Sequence, residues 1–194
     1  MYIFLILFCT NIHCDASKIT GPTSFVSMGS RVHVYPNDEA KIVENIFNKV
    51  DLEMSEWKND STLSKVNAAA GRSPVQCSVS LCSAVELSLS IAKQTDGAFD
   101  PTWACMWEHW DFKKPSMPTK EVVASNLPLV NWKNVVIESN TIYLKEKGMM
   151  LGLGGIAKGI ALNESRDALL KNGVSDFMIV SGGQVLVQGE TRKV

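Results

Sequence analysis

The chain has 194 residues, 19 Lys and Arg against 20 Asp and Glu, a net charge of −1 and 45% hydrophobic residues, which is the composition of a folded globular domain. Balanced charge without a long run of one sign excludes the electrostatic footprint that nucleic-acid binders carry. The length fits one domain, or part of a larger one, whose core needs neither a disulfide nor a metal to reach a workable size.

Tyr2 to Phe8 is apolar but supplies only about a third of the ~20 residues a transmembrane helix requires. Small and polar residues with Cys9 and Cys14 follow it, so residues 1–16 read as an export signal or a lipid anchor, against the alternative of a buried N-terminal strand. No Lys or Arg precedes the run, and the ring of Phe8 directly before Cys9 argues against lipidation there. Residues 17–194 form the domain. Phe25, Val26, Met28, Val32 and Val34 predict extended chain broken by a turn or bulge at Gly29. Asn37 or Asp38 can then cap a helix whose Ala40, Val43, Phe47, Val50 and Met54 share one face, with Trp57 at its end.

A second helix is predicted from Ser78 through Leu81, Val85, Leu89 and Ala92 to the Asp96–Gly97 stop, and a shorter one from Thr119 to Pro128. Val135 to Ile137 and Ile142 to Leu144, joined by Ser139–Asn140, read as a hairpin, and Met149 to Leu153 as a further strand. The glycine-rich loop 152–159 opens a helix that runs to about Leu170 and stops at Gly173. Phe177 to Val180, the Gly182–Gly183 turn and Val185 to Val187 close the pattern. Strand, helices and then strands with one helix fit an α+β fold better than βαβ alternation. The uncovered last strand reads as part of a longer domain, against the alternative of a small domain with a frayed tail. Cys77, Cys82 and Cys105 form no C-x-x-C pair and have no histidine pair at zinc spacing, so they read as buried free thiols.

Three stretches could carry chemistry. Gly152-Leu153-Gly154-Gly155-Ile156-Ala157, with Asp176 about 20 residues on, fits a dinucleotide fingerprint, but little chain remains for the further βα units a nicotinamide site needs. A phosphate held by backbone N–H groups at the helix start, with Lys158 as a nearby cation, and tight packing with no ligand both remain open. Gly97 to Thr102 places Asp100 on a stiff turn beside Phe99, either as a structural helix stop or as a holder of a flat heterocycle. Trp103, Trp107 and Trp110, three of the five tryptophans, would share one face of an α-helix, which predicts core. The histidines match neither a zinc nor an acyl-transfer arrangement.

Met28-Gly29-Ser30, Met54-Ser55-Glu56-Trp57 with 61–67, Gly97 to Thr102 with Trp110, Leu153 to Gly159, and Ser181-Gly182-Gly183 occur in the order of the FAD:protein FMN transferase (ApbE) family, which the chain resembles from about Met28 to Gly189. The resemblance implies an exported or membrane-anchored α+β protein with a T-fold-like core. It implies Mg²⁺-dependent transfer of FMN from FAD to a threonine or serine of an acceptor flavoprotein, with AMP released. Met28, Trp57, Ala98, Phe99, Asp100, Gly154, Gly155 and Lys158 match FAD-binding positions, and Ala157 matches a position whose carbonyl binds the metal. Gly152 and Asn163 replace the acids of the family pattern, and Ile160 its tyrosine. The family's remaining metal ligands belong to a later block than these residues reach. A flavin-binding or carrier protein without transfer, and an unrelated nicotinamide enzyme, are the competing readings.

Overall fold

The computed structural model describes residues 22–110 and 117–189; the expected export segment, with Cys9 and Cys14, lies outside the described residues. Strands β1 (Thr23–Ser27) and β2 (Ser30–Tyr35) form a hairpin. Its turn has positive φ at both Met28 (51°) and Gly29 (68°), the combination whose twist suits a two-residue hairpin. Helix α1 (Ala40–Met54) buries the expected face of Ala40, Val43, Phe47, Val50 and Met54. The expected cap does not form. A 3-10 turn over Asn37–Glu39 leads into the helix, neither start carries a side-chain capping bond, and Asn37 Oδ1 is buried without a partner among the described residues.

Two short elements escaped the sequence pattern: helix α2 (Thr62–Ala68), capped by Ser61, and strand β3 (Val75–Gln76). Seven and two residues are too few for a period to register. Helix α3 (Val79–Gln94) starts where expected, with Ser78 Oγ accepting from the Leu81 N–H at 3.1 Å, and it ends at the left-handed pair Asp96 and Gly97. Helix α4 (Lys120–Asn126), capped by Thr119, and the hairpin β4 (Val135–Glu138) and β5 (Thr141–Leu144) also match the prediction. Helix α5 (Ala157–Lys171) and strands β6 (Phe177–Ser181) and β7 (Gln184–Gln188) complete the described chain.

The architecture is α+β. One antiparallel sheet has the order β1-β2-β6-β7 and a second has β3-β5-β4. Val32, Val34, Phe177 and Ile179 on the inner face of the first sheet pack against α1 and α5, with Phe25 edge-on to Phe47 at 5.8 Å. Among the described residues no helix is long and apolar enough to cross a membrane.

Three expectations are corrected. Met149 to Leu153 belongs to neither sheet; it touches strand geometry only through a parallel bridge between Met150 and Trp103. Its backbone is served instead by Asn67, whose Oδ1 accepts from the Leu151 N–H at 2.8 Å and whose Nδ2 donates to the Leu151 carbonyl at 2.9 Å, and by the Pro101 carbonyl, which accepts from the Gly152 N–H at 2.9 Å. Cys77 and Cys82 are not free thiols but a disulfide, because the α3 start folds back to bring their Cα atoms within 6.0 Å. Cys105 is free and buried as expected, and burial pushes its thiol up to about 11. The tryptophan segment is a 3-10 helix, Ala104–His109, so its rings do not line one buried α-helical face: Trp103 is 43% exposed.

Asn67→Ala should strand the Leu151 N–H and C=O in the core and lower the unfolding free energy by about 2–4 kcal/mol, read as a lower urea midpoint at unchanged slope. A midpoint within error of wild type would mean that Leu151 finds other partners.

Candidate functional site

Three separated pieces of chain meet at one end of the four-stranded sheet. The β1–β2 turn contributes Met28 and Gly29, the end of α1 contributes Asp51 and residues 54–58, and the glycine loop with the start of α5 contributes Gly154, Ala157 and Lys158. With Trp107 they enclose a cavity of about 520 Å³.

The α1 end is set locally. Ser61 Oγ donates to the Ser55 carbonyl at 2.5 Å and accepts from the Ser64 N–H at 2.9 Å, so one buried hydroxyl both caps α2 and ties it to the end of α1. The Trp57 N–H donates to Ser55 Oγ at 3.2 Å. That bracing turns Trp57 outward, 69% exposed, with its indole stacked on Trp107 at 4.6 Å and 9° between the planes. Trp103 meets Trp107 edge-on at 5.8 Å.

The opposite wall is cationic. Lys158 Nζ donates to Ser30 Oγ at 2.8 Å, linking the first turn of α5 to the start of β2. Gly182 makes that contact possible: a Cβ there would lie 2.6 Å from Ser30 Oγ and 3.2 Å from Lys158 Nζ, and its φ is +54°. The Ala157 and Ile160 N–H groups are taken by the Leu153 and Ile156 carbonyls at 2.8 and 3.2 Å, so it is the Lys158 ammonium, at the positive end of the α5 dipole, that favours an anion.

Two carboxylates share the cavity. Asp51 pairs with Lys58 at 2.6 Å. Burial pushes the Glu56 carboxyl above the usual carboxylate range. The charge of Asp51 adds to that rise, while hydrogen bonds from the Glu56 and Leu153 backbones and from the Trp57 side chain oppose it. Glu56 also borders a second cavity of about 550 Å³, lined in part by Asn59, Asn67, His109 and Asn126.

Of the residues singled out by sequence, Met28, Trp57, Gly154, Ala157 and Lys158 line the main cavity, whereas Ala98, Phe99, Asp100 and Gly155 do not. Phe99 lies behind the glycine loop, where a Cβ on Gly155 would sit 3.7 Å from its ring. Asp100 is a staple: its Oδ1 accepts from the Thr102 N–H at 2.8 Å and the Thr102 hydroxyl at 2.6 Å, and its Oδ2 accepts from the Trp132 N–H at 3.1 Å. Ser30, Glu56 and Trp107 were not assigned roles from sequence. The tryptophan clustering signalled Trp107; Glu56 sat unremarked within its block, and nothing local marks Ser30 as a partner for a lysine 128 residues away.

The glycine loop follows no sheet strand, and every pairing between named strands is antiparallel, so among the described residues the parallel βαβ frame of a nicotinamide site is not built. A Mg²⁺ site is not complete among them either. Ala157 offers one neutral carbonyl, no group of three His, Cys, Asp or Glu side chains comes together, and Mg²⁺ takes about six oxygens including carboxylate.

The ApbE family profile matches residues 28–194. The chain is 30% identical over 176 residues to the FAD:protein FMN transferase of Klebsiella pneumoniae, covering 86% of this chain and 55% of that protein. To that of Treponema pallidum it is 27% identical over 175 residues, covering 82% and 48%. It thus spans about half the length of these relatives. The solved flavin transferase ApbE from Vibrio cholerae superposes with a TM-score of 0.82 at 22% identity, covering 89% of this chain and 60% of that one. The ApbE protein from Thermotoga maritima gives 0.77 at 24%, covering 88% and 59%.

Because folding raises the Glu56 pKa, its neutral form favours the folded state, and that contribution is full below the unfolded pKa and lost as pH rises through the folded one. Glu56→Gln should therefore remove part of the fall in stability above about pH 4.5, the ordinary carboxylate value, seen as urea midpoints that converge on or exceed wild type toward neutral pH. Parallel wild-type and variant curves would show that Glu56 titrates normally.

Proposed function

The chain belongs to the ApbE family, and we propose that it carries the flavin-nucleotide site of an enzyme that transfers FMN from FAD to a threonine or serine hydroxyl of an acceptor flavoprotein, releasing AMP. The observation that carries this reading is one cavity with a ring end and a phosphate end: the Trp57 indole on one wall, Lys158 and the α5 start on the other.

In the reaction, the acceptor oxygen forms a bond to the FMN phosphorus, the pyrophosphate P–O bond breaks, AMP leaves, and the hydroxyl proton passes to solvent or a base. This chain's contribution is binding and charge compensation. Trp57 takes a flat ring by stacking. Lys158, at the positive end of the α5 dipole, faces the phosphates and offsets the charge that builds on them. Lys158 Nζ is held only 2.8 Å from a neutral hydroxyl, so swinging it to a phosphate breaks no ion pair at that bond.

The same proposal includes Mg²⁺, which would supply Lewis-acid stabilisation of phosphate oxygens, with its carboxylates drawn from the remainder of a protein as long as the relatives. It places the protein outside the cytoplasm, in the periplasm or attached to the outer side of the inner membrane through its N-terminus. The Cys77–Cys82 disulfide supports that placement, because such bonds persist in oxidising compartments. A flavin carrier without transfer is the second reading, favoured by the single neutral oxygen at Ala157.

Titration of the chain with FAD and with NAD, followed by flavin and tryptophan fluorescence, should show preference for FAD; equal or tighter NAD binding would sink the flavin reading. Incubated with FAD, Mg²⁺ and an acceptor protein, the 194-residue chain should leave little covalent FMN in-gel, whereas a version extended to family length should label the acceptor. Clear labelling by the 194 residues would place all metal donors within them, and no labelling by the extended version would favour the carrier. Non-reducing peptide mapping of exported protein should recover the Cys77 and Cys82 peptides linked, and two alkylated thiols there would argue for a reducing compartment.

A further inference from the structure

Trp57 is the ring surface of the cavity, yet an indole left 69% exposed at a helix end would ordinarily sample several rotamers and lose them on binding. Here it is held. Trp107 covers one of its faces in a near-parallel stack at 4.6 Å, with 9° between the planes. The other face is open.

Trp107 is itself anchored on two sides. Trp103 packs edge-on against it and is tied by a parallel bridge to Met150. Behind it lies Gly152, where a Cβ would come within 3.0 Å of the Ala104 Cβ and 3.3 Å of the Trp107 ring. Gly152 and Trp107 are therefore a matched pair: the ring occupies the room that any larger residue at 152 would need.

We propose that Trp107 is a positioning residue, which fixes the Trp57 indole so that its free face is already oriented to receive a flat, phosphate-bearing heterocycle. The ligand then extends the stack as a third layer, with its phosphate reaching the Lys158 wall of the same cavity. The inference rests on the flavin-nucleotide reading and deepens it. Two rings of FAD, the isoalloxazine and the adenine, share the required chemistry, and FMN and AMP separate them.

The experiment measures binding of FAD, FMN and AMP by calorimetry to the wild-type chain and to Trp57→Ala, Trp107→Leu, Trp107→Phe, Gly152→Ala and the Trp57→Ala/Trp107→Leu pair, with far-UV circular dichroism confirming that each is folded. Trp57→Ala and Trp107→Leu should each weaken FAD binding about three- to tenfold, the range of an aromatic pair. The double variant should lose no more than Trp57→Ala alone, because Trp107 acts through Trp57. Trp107→Phe, which keeps a stacking ring, should stay within about twofold of wild type, whereas Gly152→Ala, whose Cβ crowds Ala104 at 3.0 Å and the ring at 3.3 Å, should lose less than Trp107→Leu. Whichever of FMN or AMP shows the same losses identifies the ring that rests on Trp57. FAD binding by wild type together with unchanged or tighter binding by Trp107→Leu, or losses that add in the double variant, would overturn the positioning role alone. If Trp107→Leu fails to fold, Trp107→Met, which fills the space without a stacking ring, takes its place with the same expected loss. Failure of the wild-type chain to bind FAD, FMN or AMP would overturn the flavin reading, and the positioning role with it.

Discussion

The pairing of β2 with β6 sets the geometry on which the site depends. Val32 sits opposite Ser181 and Val34 opposite Ile179, so Ser30 and Gly182 arrive side by side and Lys158 can reach Ser30 across the same edge. Closing so long a loop costs chain entropy that grows only slowly with length, and it is offset by burying Val32, Val34, Phe177 and Ile179 completely at about 1.5–3 kcal/mol per large apolar side chain. A slip of β2 by one residue would turn Val32 and Val34 to the outer face and carry Ser30 away from Lys158. The hydrophobic face thus specifies a polar contact that contributes little stability of its own.

The two walls of the cavity are built by different physics. The cationic wall needs long-range strand pairing and a glycine at 182, where any Cβ would collide with Ser30. The aromatic wall is assembled mostly from local structure: the Ser55–Ser61 bracing at the end of α1, and the Trp103–Trp107 packing of one 3-10 helix. The Trp57–Trp107 stack joins the two segments. A site made this way can vary its ring surface without disturbing its phosphate end.

Charge in the cavity is arranged so that one cation is left available to an anion. Lys58 is engaged by Asp51, the Glu56 carboxyl is shifted toward its neutral form by burial, and Lys158 contacts a neutral hydroxyl. An ammonium already in an ion pair would have to exchange one carboxylate for another anion and would gain little by it. One held by a hydroxyl adds its attraction nearly in full.

The chain's own pattern determined the α+β class, the apolar face of α1, the extents of α3 and α5, and the three tight hairpin turns at 28–29, 139–140 and 182–183. Each rests on local rules that a short window can express, namely period, caps and positive φ. It also marked Met28, Trp57, Gly154, Ala157 and Lys158, which the fold brings together. Tertiary structure alone decided the rest. Met149 to Leu153 has the composition of a strand, yet Asn67 pairs with the Leu151 backbone and the Pro101 carbonyl with the Gly152 N–H, so it joins neither sheet. Cys77, in the link between β3 and α3, pairs with Cys82 near the start of α3, which five residues of spacing do not reveal. Asp100 faces inward because the backbone N–H groups of Thr102 and Trp132 converge on it. Ser30 and Trp107 acquire their roles only through partners distant in sequence, and such contacts depend on sheet register and packing, which no local pattern encodes.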